Sequence, residues 1–180
     1  GSPTMEVNGT MNWFSGTVQI PTTINSGGIL NLDLAFDKIL QNASIVNNGT
    51  INWITITSNG NLDMRTGTLT NNGTINANFG VNAGFFNTSG VNLFTNNGTL
   101  HKSTAQTLAI NTLPFTNSAT GVITGTGTLS SSPANFSITN AGEIQPGSSP
   151  GQITFSNNIV STETSTLRLE IVDGSGAGTG

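Results

Sequence analysis

The sequence predicts an all-β chain wound as a parallel β-solenoid, a β-helix of about seven coils of roughly 22 residues each. Three observations predict it: an Asn-Gly-Thr phrase that returns at a near-constant interval, a polar–apolar alternation behind each copy, and little sign of helix anywhere. The phrase reads VNNGT at 46–50 and TNNGT at 70–74 and 95–99.

Aligned on its glycine, the repeat runs VNGTMNW at Gly9, NSGGILNL at Gly28, VNNGTINW at Gly49, TNNGTINA at Gly73, TNNGTLHK at Gly98, NSATGVITG at Gly121 and TNAGEIQP at Gly142. Successive anchors differ by 19, 21, 24, 25, 23 and 21 residues. An interval of this size is the mark of a stacked array, in which each unit buries its apolar side only against its neighbours.

The alignment sorts residues that did not define it. Two places after the anchor stand Met11, Leu30, Ile51, Ile75, Leu100, Ile123 and Ile144, all apolar. Three places after it stand Asn12, Asn31, Asn52, Asn76, His101, Thr124 and Gln145, none apolar. One place after it come Thr10, Thr50, Thr74 and Thr99, with Ile29, Val122 and Glu143 as exceptions. A period of two is a strand with one side inward. A second alternation follows in most units, as GTVQI, NLDMRTGTL, GVNLF, QTLAI, GTGTL and GQITF, so each unit holds two or three short strands between Gly, Asn and Ser turns. Residues 32–40, LDLAFDKIL, are the best helical candidate and read equally as a strand with a short excursion. No hairpin signal joins neighbouring strands, so the units stack in parallel and advance by about 4.8 Å per coil, giving a rod of about 30 to 35 Å.

The phrase itself reads as a coil corner. Asn and Gly accept positive φ at little cost, and Asn repeated at one place can bond amide to amide along the stack. Asn48, Gly49, Asn72, Gly73, Asn97 and Gly98 are therefore predicted turn and ladder residues. Asn48, Asn72 and Asn97 should form one ladder, and Asn12, Asn31, Asn52 and Asn76 a second.

Composition bounds the function. The 180 residues suit a single solenoid domain over 7–172, with 1–6 as an N-terminal tail or expression remnant and 173–180 as a Gly-rich tail or linker; the chain reads as a piece of something longer. Only 7% of residues are charged, against about 25% in ordinary soluble proteins. Four Lys and Arg cannot build a phosphate-neutralising or polybasic patch, which argues against nucleic acid and against an anionic membrane. No cysteine is present, which removes disulfides, thiol catalysis and cysteine zinc sites. No apolar run is long enough for membrane insertion by a helix.

With the units laid out, the chain resembles the parallel β-helical repeats of large bacterial surface and secreted proteins, of the adhesin and autotransporter-passenger type. The likeness is closest over 140–171, NAGEIQPGSSPGQITFSNNIVSTETSTLRLEI, which looks like the sPGnSpGtltv segment that closes such arrays. The resemblance implies a right-handed helix and an exported, extracellular location, and it implies no chemistry.

Chemistry in such folds needs acids clustered on one face. Glu6, Asp33, Asp37, Asp63, Glu143, Glu163, Glu170 and Asp173 are scattered through different columns. Asp33 and Asp63 share an NLD context at different offsets from their anchors and should not face each other. His101, the single histidine, takes a place otherwise held by Asn and reads as a ladder substitute, not a metal ligand. Trp13 and Trp53 read as inward core residues. Sequons at Asn8, Asn42, Asn48, Asn72, Asn87, Asn97 and Asn135 follow from the turn composition. Thr55 to Thr57, Thr66, Thr68, Thr124, Thr126 and Thr128 place hydroxyls at alternate positions and are the candidate ligand-facing residues, although their offsets fall in no regular column. The expectation is a non-catalytic, cofactor-free structural or adhesive module, a stalk or a contact surface for a host-cell, matrix or glycan surface. A sugar- or ice-binding solenoid is the alternative, and a polysaccharide-degrading enzyme a third. Open strand edges at the two ends predict weak end-to-end self-association.

Overall fold

The computed structural model describes residues 1–33, 36–54, 60–111, 113–132, 137–147 and 151–169. The TIT triplet at 55–57, the sequon at Asn135, Glu170, Asp173, the 173–180 tail and the middle of the helical candidate lie outside the described residues, as does part of the PGSSPG segment.

Every regular element among the described residues is a strand. Three sheets result, of eight, eight and seven strands, each taking every third strand in chain order. The first sheet runs from Met5–Val7 to Ile159–Ser161 and contains Ser44–Asn47, Thr68–Asn71 and Leu93–Asn96. The second runs from Thr10–Trp13 to Thr166–Leu167 and contains Thr50–Ile54, Thr74–Ala77 and Thr99–Lys102. The third runs from Gly16–Val18 to Ile153–Phe155 and contains Leu62–Arg65, Ala83–Ser89 and Thr107–Asn111. Pairing is parallel in all three. The chain thus visits the three sheets in turn and returns one layer on, which is a β-solenoid close to the seven coils expected. The helical candidate supplies the strands Ile29–Asp33 and, after its undescribed middle, Lys38–Gln41.

The core lies inside the three sheets. The apolar column two places after each anchor is inward, with Leu30, Ile51, Ile75, Leu100 and Ile123 stacked in register on the second sheet. The first sheet supplies Ile45, Leu69, Phe94, Phe115 and Ile138 in another unbroken column. Trp13 and Trp53 both point inward, and Trp53 meets Phe79 and Phe85 edge-on at 5.3 and 4.9 Å between ring centroids. Phe85, Phe94 and Phe115 continue this aromatic spine at 4.7 and 4.6 Å. Such ring pairs add about 0.5 to 1.5 kcal/mol each beyond the area they bury.

The corner differs from expectation in its cause. Among the described residues positive φ occurs at Gly16, Gly27, Asn42, Thr66, Gly90, Gly125 and Gly127, and not at Asn48, Gly49, Asn72, Gly73, Asn97 or Gly98. What demands glycine there is the closeness of the next coil. A Cβ at Gly73 would run into the carbonyl oxygen of Gly49, and one at Gly98 into that of Gly73. The same carbonyls accept hydrogen bonds from Thr74 and Thr99 N–H at 2.9 and 2.8 Å. The anchor recurs because each coil's corner packs backbone to backbone on the one before.

Candidate functional site

Three columns of asparagine run up the solenoid, and two of them were expected. On the outside of the corner, Asn72 Nδ2 donates to Asn48 Oδ1 and Asn97 Nδ2 to Asn72 Oδ1, both at 2.9 Å. On the outer face of the second sheet, Asn31 donates to Asn12, Asn52 to Asn31 and Asn76 to Asn52 at 2.8 to 3.1 Å. His101 takes the next place, opposite Asn76, half-buried.

The third column was not foreseen and is the most enclosed. Asn47, Asn71, Asn96, Asn117 and Asn140 point inward, none more than 1% exposed, and each Nδ2 of the first four donates to the next Oδ1 at 2.7 Å. The second amide hydrogen goes to the corner backbone: Asn71 to Thr99 O at 3.1 Å, Asn96 to Gly98 O at 3.1 Å and Asn117 to Gly121 O at 3.1 Å. Burying an amide is tolerable only when its donors and acceptor are used, and this ladder uses them. The sequence signal was there, in Asn two places before Gly49, Gly73, Gly98 and Gly142. It was hidden because the inward parity of a strand is ordinarily read from apolar residues alone.

Among the described residues the titratable groups fall in separate places: Asp33 and Asp37 flank Lys38, Asp63 pairs with Arg65, and Glu143 with Arg168. Asp33 lies in the second sheet and Asp63 in the third. Asp63 is buried and committed: Arg65 Nε and Nη2 donate to its Oδ2 at 2.7 Å, and Thr88 Oγ1 to its Oδ1 at 2.6 Å. Glu143 pairs with Arg168 at 2.8 Å. Among the described residues no three His, Cys, Asp or Glu side chains group as metal ligands would.

Two lysines enter the core. Lys38 and Lys102 are fully buried at inward strand positions. Lys38 Nζ donates to Phe36 O at 2.9 Å; burial pushes its pKa down, and Asp33 and Asp37 pull it part of the way back. Lys102 Nζ donates to Thr104 O at 2.6 Å and Oγ1 at 3.3 Å and lies 5.4 Å over the Phe79 ring. Desolvation lowers its pKa to about 8. Its ammonium occupies room left by Gly127 of the following coil, where a Cβ would come within 2.9 Å of Nζ.

The candidate threonines do not share a face. Thr66 is a turn residue at φ 56, in the coil-to-coil line of Asn42 and Gly90. Thr68 lies on the first sheet beside Ser44 and Leu93, Thr124 on the second between His101 and Gln145, and Thr128 on the third between Thr107 and Thr154. Thr126 is in the connection after the second sheet, its N–H bonded to Lys102 O at 2.7 Å. A regular threonine column does exist elsewhere. Thr70, Thr95, Thr116 and Thr139 pair in sequence along the outer face of the first sheet, with Val46 and Thr23 before them and Val160 after. No family model, curated protein or solved structure matches the chain.

Proposed function

We propose that the chain is a rigid, non-catalytic module of a larger bacterial cell-surface or secreted protein, serving as a stalk or as a contact surface for a host-cell, matrix or glycan surface. The observation that carries this reading is the inner asparagine ladder. It crosses five coils without a break and ties each corner to the next, so bending one coil against its neighbour breaks buried hydrogen bonds. The commitment of Asp63 to Arg65 and Thr88 supports a structural role for the best-placed acid. Small-angle scattering should return a single rigid body about 30 to 35 Å along the stack, and glycan and matrix arrays should then identify any contact partner. A flexible scattering profile sinks the rigid module. Polysaccharide turnover that disappears in Asp63→Asn sinks the non-catalytic reading.

A second reading rests on the outer column of the first sheet. Its five threonines and two valines present methyl and hydroxyl groups at about 4.8 Å intervals, beside Asn25, Asn48, Asn72 and Asn97 two residues on. Among the described residues none of those five hydroxyls has an intramolecular partner. Glu6 is the only charge in the column, at its first place. Sugar stacking on this flank would call for an aromatic face in the column, and it holds none; both tryptophans are buried, and the exposed rings of Phe14 and Phe36 stand outside it. An ordered water surface such as ice fits this flank better. Freezing hysteresis should then appear and be lost in Thr95→Lys, while Thr107→Lys on the third sheet keeps it; absence of hysteresis in the parent chain ends this reading.

A further inference from the structure

Midway along the solenoid, the outer face of the third sheet carries a hollow that no ladder or threonine column accounts for. In the strand Ala83–Ser89 the side chains of Ala83 and Phe85 are buried in the core, so Gly84 and Phe86 face outward, with Asn82 on the same side just before the strand. Gly84 therefore leaves a gap between an amide and an aromatic ring. Its neighbour in register is the small Ala109, whose carbonyl oxygen a Cβ at Gly84 would strike, so the gap cannot be filled from within. Asn61, Asn82, Ala83, Phe86 and Ala109 line the resulting open cavity of about 220 Å³.

The two amides are held from behind and free in front. Asn61 Oδ1 accepts from Gly84 N–H at 3.1 Å and Asn82 Oδ1 from Thr107 N–H at 2.9 Å, so the backbone of the following coil fixes which end of each amide it meets. Each Nδ2 is left without a partner among the described residues. The amides of Asn31, Asn52 and Asn76, by contrast, are tied into their ladder. Phe86 is half-buried and Asn82 exposed, so both meet solvent. None of the lining residues is charged. Asp63, beside Phe86 in register, is already held by Arg65 and Thr88.

A concave site with one aromatic wall, two fixed amide donors and no charge suits an uncharged sugar ring, whose C–H face packs on the aromatic ring while its hydroxyls accept from the amides. The outer column of the first sheet offers no such wall. We propose that this hollow on the third sheet binds one neutral pyranose of a glycan. The assignment rests on the contact-surface reading above and gives that surface a place and a ligand class.

The test uses the 180-residue chain on an array of neutral oligosaccharides of glucose, galactose, mannose and N-acetylglucosamine, with acidic oligosaccharides beside them, followed by calorimetric titration of the strongest neutral ligand. The parent chain should bind neutral oligosaccharides, and Phe86→Ala should weaken binding by about tenfold or more. Asn82→Asp keeps the acceptor for Thr107 N–H but removes the donor, and should weaken binding by about fivefold. Phe14→Ala, which removes an exposed ring elsewhere, should leave affinity unchanged. Circular dichroism checks each fold, and Asn82→Asp, at an exposed position, carries the test should Phe86→Ala fail to fold. Neutral-glycan binding that survives both substitutions overturns this site while the contact-surface reading stands. A parent chain that binds only acidic oligosaccharides, or none, overturns the site as well, and scattering still judges the rigid module separately.

Discussion

Asn71 and Asn72 are neighbours in the chain and belong to ladders on opposite sides of the same corner. Each donates one amide bond and accepts another along the stack, at 2.7 Å inside and 2.9 Å outside. The partners are the same and the solvent is not. Inside, a broken rung leaves an amide with no water to replace it, at about 1 to 3 kcal/mol for each orphaned group. Outside, water takes the vacant place, and a net bond is worth about 0.5 to 1.5 kcal/mol at most. The inner ladder therefore holds the fold, and the outer one decorates it.

The comparison can be broken first at the corner that both ladders flank. Gly98→Ala should cost most, about 4 kcal/mol or more, because its Cβ meets Gly73 O and Asn72 backbone. Gly9→Ala, at the equivalent place of the first coil, meets open space and should change stability by less than about 0.5 kcal/mol. Equal effects in urea unfolding would remove coil-to-coil contact as the reason for glycine.

Next comes the inner rung itself. Asn96→Leu keeps the branched shape and heavy-atom count but not the volume, strips the bonds to Asn71 and Asn117, and should lower stability by about 3 kcal/mol. Its outer counterpart Asn72→Ala removes the same number of rungs and should lose less than about 1 kcal/mol. Comparable losses in the pair would mean that burial is not what separates the ladders.

Lys102 sharpens the point, as an interior polar group without a ladder. No carboxylate lies within ion-pair distance among the described residues, and desolvation sets its pKa at about 8 from 10.5. Between those values the unfolded chain holds a proton that the folded chain has released, so stability should rise as pH climbs from about 8 to 10.5 and carry the full burden below 8. Lys102→Met should lift stability at neutral pH by up to about 3 kcal/mol and abolish that slope. A slope unchanged in the variant would assign it to another group.

Much of the architecture was legible in the residues. The anchor spacing and the alternation Thr74, Ile75, Asn76 announce a stacked strand, because a period of two admits no other regular element. The ladders at Asn48, Asn72, Asn97 and at Asn12 to Asn76 follow from identical residues at identical offsets. The third sheet was harder to separate. GTVQI and GVNLF look alike, yet Gly16–Val18 lies in the third sheet and Leu93–Asn96 in the first. The threonine column escaped for a related reason: Thr70 and Thr95 stand three places before their anchors, but Thr23 and Thr116 stand five before theirs.

The sequence by itself determined that the chain coils, how often, and which side of the strand after each anchor faces inward. Those are local consequences of side-chain period and of the repeat. Only the tertiary structure decided which of two adjacent asparagines is buried, why glycine is demanded at the corner without a positive φ, and where Lys102 finds room. Each of those depends on what the neighbouring coil places within a few ångströms, and residues some 20 to 25 positions apart exert that constraint through space.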